Sequence, residues 1–221
     1  MENIGIIKAH GQSALQSELV NGIVLASSRA AQGMPTHISD ARVIVIDFAL
    51  QRYKTQMGVE VKTSDPDELE RIKAEELAIS RQRVQHILDT GANVVVCGHA
   101  IDDLCLKYLV EAGCIGVRRV GNDDMIRIAK ATGATIVHRV DEILESDVGT
   151  RCGVFDVRQI GDEYYAFIEE CEDPKACSVL LRGGSKDALN EIERNLQDAM
   201  QVARNVVFDP RLLPGGCWRG V

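Results

Sequence analysis

Histidine, cysteine and paired carboxylates are the side chains best suited to chemistry near neutral pH. The chain has five histidines (10, 37, 86, 99 and 138) and seven cysteines (97, 105, 114, 152, 171, 177 and 217). The histidines show no serine or cysteine partner pattern, although nucleophilic triads are assembled by folds rather than by local spacing. Cys97-Gly98-His99 and the pair Cys171 and Cys177 could each offer two metal ligands. Neither has a second pair at zinc-site spacing, so both read as strand-end residues. Asp102-Asp103 and Asp123-Asp124 could serve as acid/base or magnesium-binding pairs. Adjacent helical residues point about 100° apart and do not converge. Acidic first turns that complement the helix dipole are the simpler reading. Residues 98–102 carry one glycine between a strand and a helix, so neither G-x-G-x-x-G nor G-x-x-x-x-G-K-[ST] is present. Spacing alone nominates no active site.

The elements that would position these residues are readable in part. The first forty residues look irregular, punctuated by Gly11, Gly22 and Gly33, with a short strand candidate at 22–25. Residues 41–50 are β-branched and nearly all apolar, as in a strand buried on both faces. Residues 59–63 alternate. Asp65, Pro66 and Glu68 then form a helix start, and helical sequence runs to about Thr90. The first half of that helix is charged, and its apolar stripe slips between 79 and 84, which predicts a break or bend near Ser80. It is either the solvated face of a surface helix or an arm leaving the body. From Gly91 the pattern is βαβαβ: strands at 93–97, 114–117 and 134–137, helices at 102–112 and 122–132. Short connections imply a locally parallel sheet. An antiparallel hairpin spans 154–169 about Gly161-Asp162, a strand covers 178–181, and Ser185 caps a last helix over 186–207. The stripe Leu189, Ile192, Leu196, Ala199, Ala203, Val206 predicts packing along one seam.

On helix 102–112, Ile101, Leu104, Cys105, Tyr108 and Leu109 form a core face. Leu106 and Val110 fall off it, beside Asp103, Lys107 and Glu111. That outer stripe is either scattered surface apolars or the wall of a groove for an apolar partner. Asp198 lies one step off the final seam and four residues after Arg194, so a surface ion pair accounts for it.

With 221 residues, 45% of them apolar and a net charge of −8, the chain can bury a full core and has no basic stripe. It is a poor candidate for nucleic-acid or anionic-membrane binding. No apolar run reaches a membrane span, no signal peptide is visible, and the odd, scattered cysteines suit a reducing, cytoplasmic location.

Several ordered stretches resemble the group II chaperonins, most closely the eukaryotic cytosolic subunits. They are residues 91–94, 101–104, 107–113 (Lys-Tyr-Leu-Val-Glu-Ala-Gly), 118–120, 127–134, 180–183 and 214–216. Residues up to about 137 look alpha-like (7–11, 32–35, 57–59), and those after about 141 look gamma-like (147–150, 160–164, 173–177, 193–200). The resemblance implies an α/β fold of the chaperonin apical-domain type. It would have a mixed sheet with the βαβαβ unit, the antiparallel hairpin and a helical protrusion at about 59–80, plus a long C-terminal intermediate-domain helix. It divides the chain into an intermediate-domain segment (1–20), an apical client-binding domain (21–183), an intermediate-domain helix (184–210) and a truncated equatorial start (211–221).

The family's client groove would lie between helix 102–112 and a loop at roughly 51–56. Asp103, Leu106, Lys107, Val110 and Glu111 would then face unfolded protein clients. Asp198 matches the family's catalytic aspartate. Gly215 and Gly216 match the start of a triple-glycine nucleotide loop whose third position here is Cys217. The family uses ATP and magnesium and assembles its subunits into a double ring. Without the equatorial phosphate motif, this chain alone is expected to bind neither and to hydrolyse no ATP. Two further readings stand beside the chaperone module. One is an ATPase subunit completed by missing equatorial parts. The other is a stand-alone α/β enzyme with a small ligand at the strand ends near 97–101 and 118–121.

Overall fold

The computed structural model describes residues 3–51 and 66–211. In chain order its strands are β1 (Ile4–His10), β2 (Glu18–Val20), β3 (Ile23–Leu25), β4 (His37–Ile46), β5 (Val94–Cys97), β6 (Ile115–Val117), β7 (Ile136–Val137), β8 (Gly149–Ile160), β9 (Glu163–Cys171) and β10 (Cys177–Gly183). Its α-helices are α1 (Pro66–Asp89), α2 (Asp103–Glu111), α3 (Asn122–Thr132) and α4 (Lys186–Phe208).

The larger sheet runs β3-β9-β8-β4-β5-β6, with β7 also paired to β4. β4 organises it. Residues 37–43 pair antiparallel with β8, and after a register shift residues 43–46 lie parallel to β5, with residues 45–46 also parallel to β7. β5-α2-β6-α3-β7 is therefore the expected βαβαβ unit, with β4 inserted between its first and last strands. Alternation along β4 explains its continuous hydrophobicity. Val43 and Val45 pack with Met125, Ile128 and Ala131 of α3 on one face. Ile44 and Ile46 pack with Val84 and Ile87 of α1 and Cys105 and Leu109 of α2 on the other. Helices cover both faces, as a parallel sheet requires.

The β8–β9 hairpin turns at Gly161, whose φ of +66° suits a residue without a Cβ. It is longer than the sequence pattern indicated, because β8 begins at Gly149.

Three expectations are corrected. The first forty residues are irregular only in part: 26–36 hold no helix or strand and β3 falls on the expected short strand, but residues 4–10 and 18–20 are strands. β1 pairs parallel with β10, and β10 pairs antiparallel with β2, forming a separate three-stranded sheet. β1 draws its order from a partner more than 160 residues away, which no local pattern reveals. This pairing also ties β10, inside the 21–183 span, to the 1–20 segment. Second, α1 is one helix through Ser80. The Ser80 hydroxyl donates to the Glu76 carbonyl at 2.9 Å and is buried, so the slip of the stripe marks burial of a serine and no break. Asp67, Glu68, Glu70 and Arg71 are exposed, while Val84 and Ile87 are buried. Residues 59–65 and the Asp65 cap lie outside the described residues. Third, α4 starts at its Ser185 cap, whose Oγ accepts from the Ala188 N–H at 3.2 Å, but packs along only the first half of its seam, where Leu189 is buried and Ile192 and Leu196 are half-buried. Leu189 is its buried residue. Val202, Val206, Val207 and Phe208 are exposed. Contact with the body is at its start, where Lys8 Nζ donates to Asn190 and pairs with Glu193 at 2.8 Å.

Candidate functional site

α2 is held at both ends. Asp102 is its N-cap and accepts from the Asp103 N–H at 3.0 Å, so this aspartate is a cap as the dipole argument expected. Gly113, with φ of +71°, turns the chain, and the Cys114 N–H returns to the Leu109 carbonyl. Asp124 in the first turn of α3 pairs with Arg127. Cys105 and Leu109 seat α2 on the sheet. Burial, reinforced by the Asp102 charge, pushes the Cys105 thiol up to about 11, and burial also raises Cys97 and Cys114. These thiols pack and are poor nucleophiles.

The wall facing α2 comes from the chain between β3 and β4. The Ala30 N–H donates to the Gly116 carbonyl at 2.7 Å. Met34 is buried, and its Sδ accepts from the Gly116 N–H at 3.2 Å. Arg29 donates to the Met34 carbonyl at 2.6 Å. Gly33 lies so close to α2 that a Cβ there would sit 3.2 Å from Val110 Cγ1. Between this strap and α2 is an open groove of about 640 Å³. Asp103, Leu106, Lys107, Val110 and Glu111 all line it, opposite Ala30, Ala31 and Gly33, with Arg118 also on its lining.

Its lower wall is apolar and its rim carries both signs of charge. Lys107 and Glu111 stand 3.8 Å apart, both well exposed. Leu106, placed on the outer stripe by periodicity, is only 5% exposed and belongs to the apolar cluster that includes Met34, with Ala30 and Ala31 packed against it. Val110 is half-buried. The strap residues escaped sequence reasoning because nothing local marks a partner about 75 positions away. Residues 52–56 of the expected facing loop lie outside the described residues.

Other nominated places differ. At the carboxyl ends of β4, β5 and β7, Asp47 sits between His99 Nε2 at 3.3 Å and His138 Nδ1 at 3.1 Å. Both imidazoles are more than half exposed, so this is a surface cluster rather than a set of buried polar groups converging on a small ligand. A groove of about 880 Å³ runs between the second half of α1 and Val140-Asp141, lined by polar and charged groups including Arg81, Arg83, Asp89 and the His86 imidazole. Asp198 is exposed on α4, and Arg194 bonds Glu191 at 2.9 Å instead of Asp198, one turn closer to the docked end of the helix. Gly215 and Gly216 lie outside the described residues. Among the described residues, no three His, Cys, Asp or Glu side chains are grouped to hold a metal ion. No helix among the described residues is long and apolar enough to cross a membrane.

Comparison with known proteins matches residues 1–218 to the TCP-1/cpn60 chaperonin family. The T-complex protein 1 subunit gamma of Saccharomyces cerevisiae is 43% identical over 217 residues, covering 96% of this chain and 40% of that protein. The subunit alpha of Tetrahymena pyriformis is 37% identical over 221 residues, covering 98% of this chain and 40% of that protein. The open-state monomer of a group II chaperonin from Methanococcoides burtonii superposes with a TM-score of 0.76 at 30% identity, over 91% of this chain and 44% of that one. The chain thus spans about two fifths of the length of the relatives it matches.

Proposed function

The chain belongs to the TCP-1/cpn60 chaperonin family, and on that premise we propose that it is the client-capturing part of a chaperonin subunit. The groove between α2 and the 30–34 strap holds segments of non-native protein. The observation that carries this reading is the composition of that groove: Leu106, Val110 and the small residues Ala30, Ala31 and Gly33 inside, Asp103, Lys107, Glu111 and Arg118 around them. An open, partly apolar groove with charges of both signs suits many extended segments weakly rather than one segment tightly. Weak capture becomes effective when several copies act on one client.

In the full-length protein this module would sit in a ring with other subunits in the cytosol. ATP and magnesium would be held chiefly by regions corresponding to the relatives' length outside the two fifths matched here. β1, β10 and the docked start of α4 would pass their state to the groove-bearing sheet. Tyr165, Phe167 and Val24 of the larger sheet pack with Ala9, Val20 and Leu180 of the smaller one, which gives such a relay a continuous core.

The test is light scattering from a chemically unfolded client diluted into an excess of this chain without nucleotide. Suppressed aggregation supports capture. A folded chain that leaves aggregation unchanged contradicts it.

A further inference from the structure

Cys152 and Cys171 face one another directly across the antiparallel β8–β9 pair. The neighbouring Glu172 N–H donates to the Arg151 carbonyl at 3.1 Å, which makes Arg151 and Glu172 the hydrogen-bonded pair. Cys152 and Cys171 are then the adjacent non-hydrogen-bonded pair, the position where side chains approach most closely. Such pairs have Cα atoms about 4.5 Å apart, at the short end of the range a disulfide spans. The two residues differ in access. Cys152 is buried in the core, with its Sγ 3.4 Å from the Val154 carbonyl, while Cys171 is half-buried at the edge of the same cluster.

From this juxtaposition we propose that Cys152 and Cys171 are a reversible modification site, forming a cross-strand disulfide at the base of the hairpin. The oxidant is a low-molecular-weight disulfide of the glutathione class. The Cys171 thiolate attacks one sulfur of that disulfide. Its S–S bond breaks, one small thiolate leaves and takes up a proton, and Cys171 carries a mixed disulfide. Cys152 gives up its proton and attacks the Cys171 sulfur, releasing the second small thiol. Two protein thiols are oxidised and one small disulfide is reduced to two thiols. The neighbouring Cys152 thiol holds the pKa of Cys171 down and burial opposes it, whereas Cys152 itself is raised. The difference in access makes the half-buried Cys171 sulfur the attacking one and the buried Cys152 sulfur the resolving one. The bond would pin β8 to β9 opposite Ala41, next to the register shift in the β4–β8 pair.

The test incubates the whole chain in mixed reduced and oxidised glutathione, quenches it in acid, alkylates it and maps its peptides by mass. The expected result is loss of two hydrogens and a peptide linking Cys152 to Cys171, both reversed by dithiothreitol. In Cys152→Ser, Cys171 should instead retain glutathione, since the resolving thiol is gone. Cys152→Ala serves the same purpose if the serine perturbs the core. The wild-type map decides the question if both variants unfold. A stable glutathione adduct on wild-type Cys171, a link from Cys171 to Cys177, or a folded chain with both thiols still free would overturn the proposal.

Discussion

Leu106 and Val110 lie one turn apart on α2 and differ in burial, so substituting each shows whether loss of capture follows loss of stability. Leu106 is 5% exposed, in the cluster that includes Met34. Leu106→Ala loses transfer energy and leaves a cavity, and the open groove beside it lets solvent relieve part of that cost, so about 2–3 kcal/mol is expected. Val110 is half-buried. Full burial of a valine is worth about 1.5–3 kcal/mol, so Val110→Asn should cost about 1 kcal/mol. With a urea m-value of about 2.5 kcal/mol/M, the midpoints fall by about 1 M and about 0.4 M respectively. Both chains should remain folded in buffer if their stability lies in the usual range of about 5–15 kcal/mol. Circular dichroism in urea reads the midpoints, and client light scattering without urea reads capture. Val110→Asn should lose most of its suppression despite the smaller stability loss, because it places an amide on the groove wall. Unchanged suppression by folded Val110→Asn would remove α2 from the capture surface. A Leu106→Ala shift no larger than that of Val110→Asn would refute the burial argument.

Three further outcomes follow from the geometry. A Cβ at Gly22 would lie 2.0 Å from the Ile168 carbonyl oxygen in the β3–β9 pair, so Gly22→Ala should cost at least about 3 kcal/mol, read as a large fall in urea midpoint. The Tyr165 hydroxyl donates to Glu163 at 2.8 Å, and burial, then Glu163, push its pKa up to about 12. The folded state favours neutral tyrosine, so this stability is complete below the unfolded pKa of about 10 and is lost as pH rises towards about 12, a change of the order of 2 kcal/mol. Tyr165→Phe should flatten that alkaline slope in pH-dependent urea melts. Amide exchange along α4 should be slowest around Leu189 and Ile192 and fast from Val202 to Phe208, where the apolar stripe is uncovered. Equal protection along the helix would contradict this.

The parallel half of the larger sheet was legible because its signals are local: a β-branched run at 41–50, alternating strand and helix patterns from Gly91, and short connections between them. Asn122–Thr132 was readable at both boundaries, since Gly121 precedes it and Gly133 ends it in the left-handed region. β1 was not, because residues 4–10 lack alternation and owe their conformation to β10. The groove was half legible. Helical periodicity separated Val110 and its charged neighbours from the core face, but the strap that forms the opposite wall is a tertiary partner with no repeat of its own. Leu106, which periodicity alone left outside, is buried in the cluster that also holds Met34. The seam on α4 was read correctly as a pattern but holds as packing only from Leu189 to Leu196, since an amphipathic stripe records a face suited to burial and does not say what covers it.

The central claim, that non-native chains dock between α2 and the 30–34 strap, is tested most directly by site-specific photo-crosslinking. A short photoreactive group is attached at Lys107, on the exposed rim of the groove, and in a second preparation at Ile126, an exposed apolar position on α3 outside it. The account predicts adducts with an unfolded client from position 107, competed away by excess unlabelled client, and few from position 126. Equal labelling from both positions, or none from 107 while aggregation is still suppressed, would contradict it.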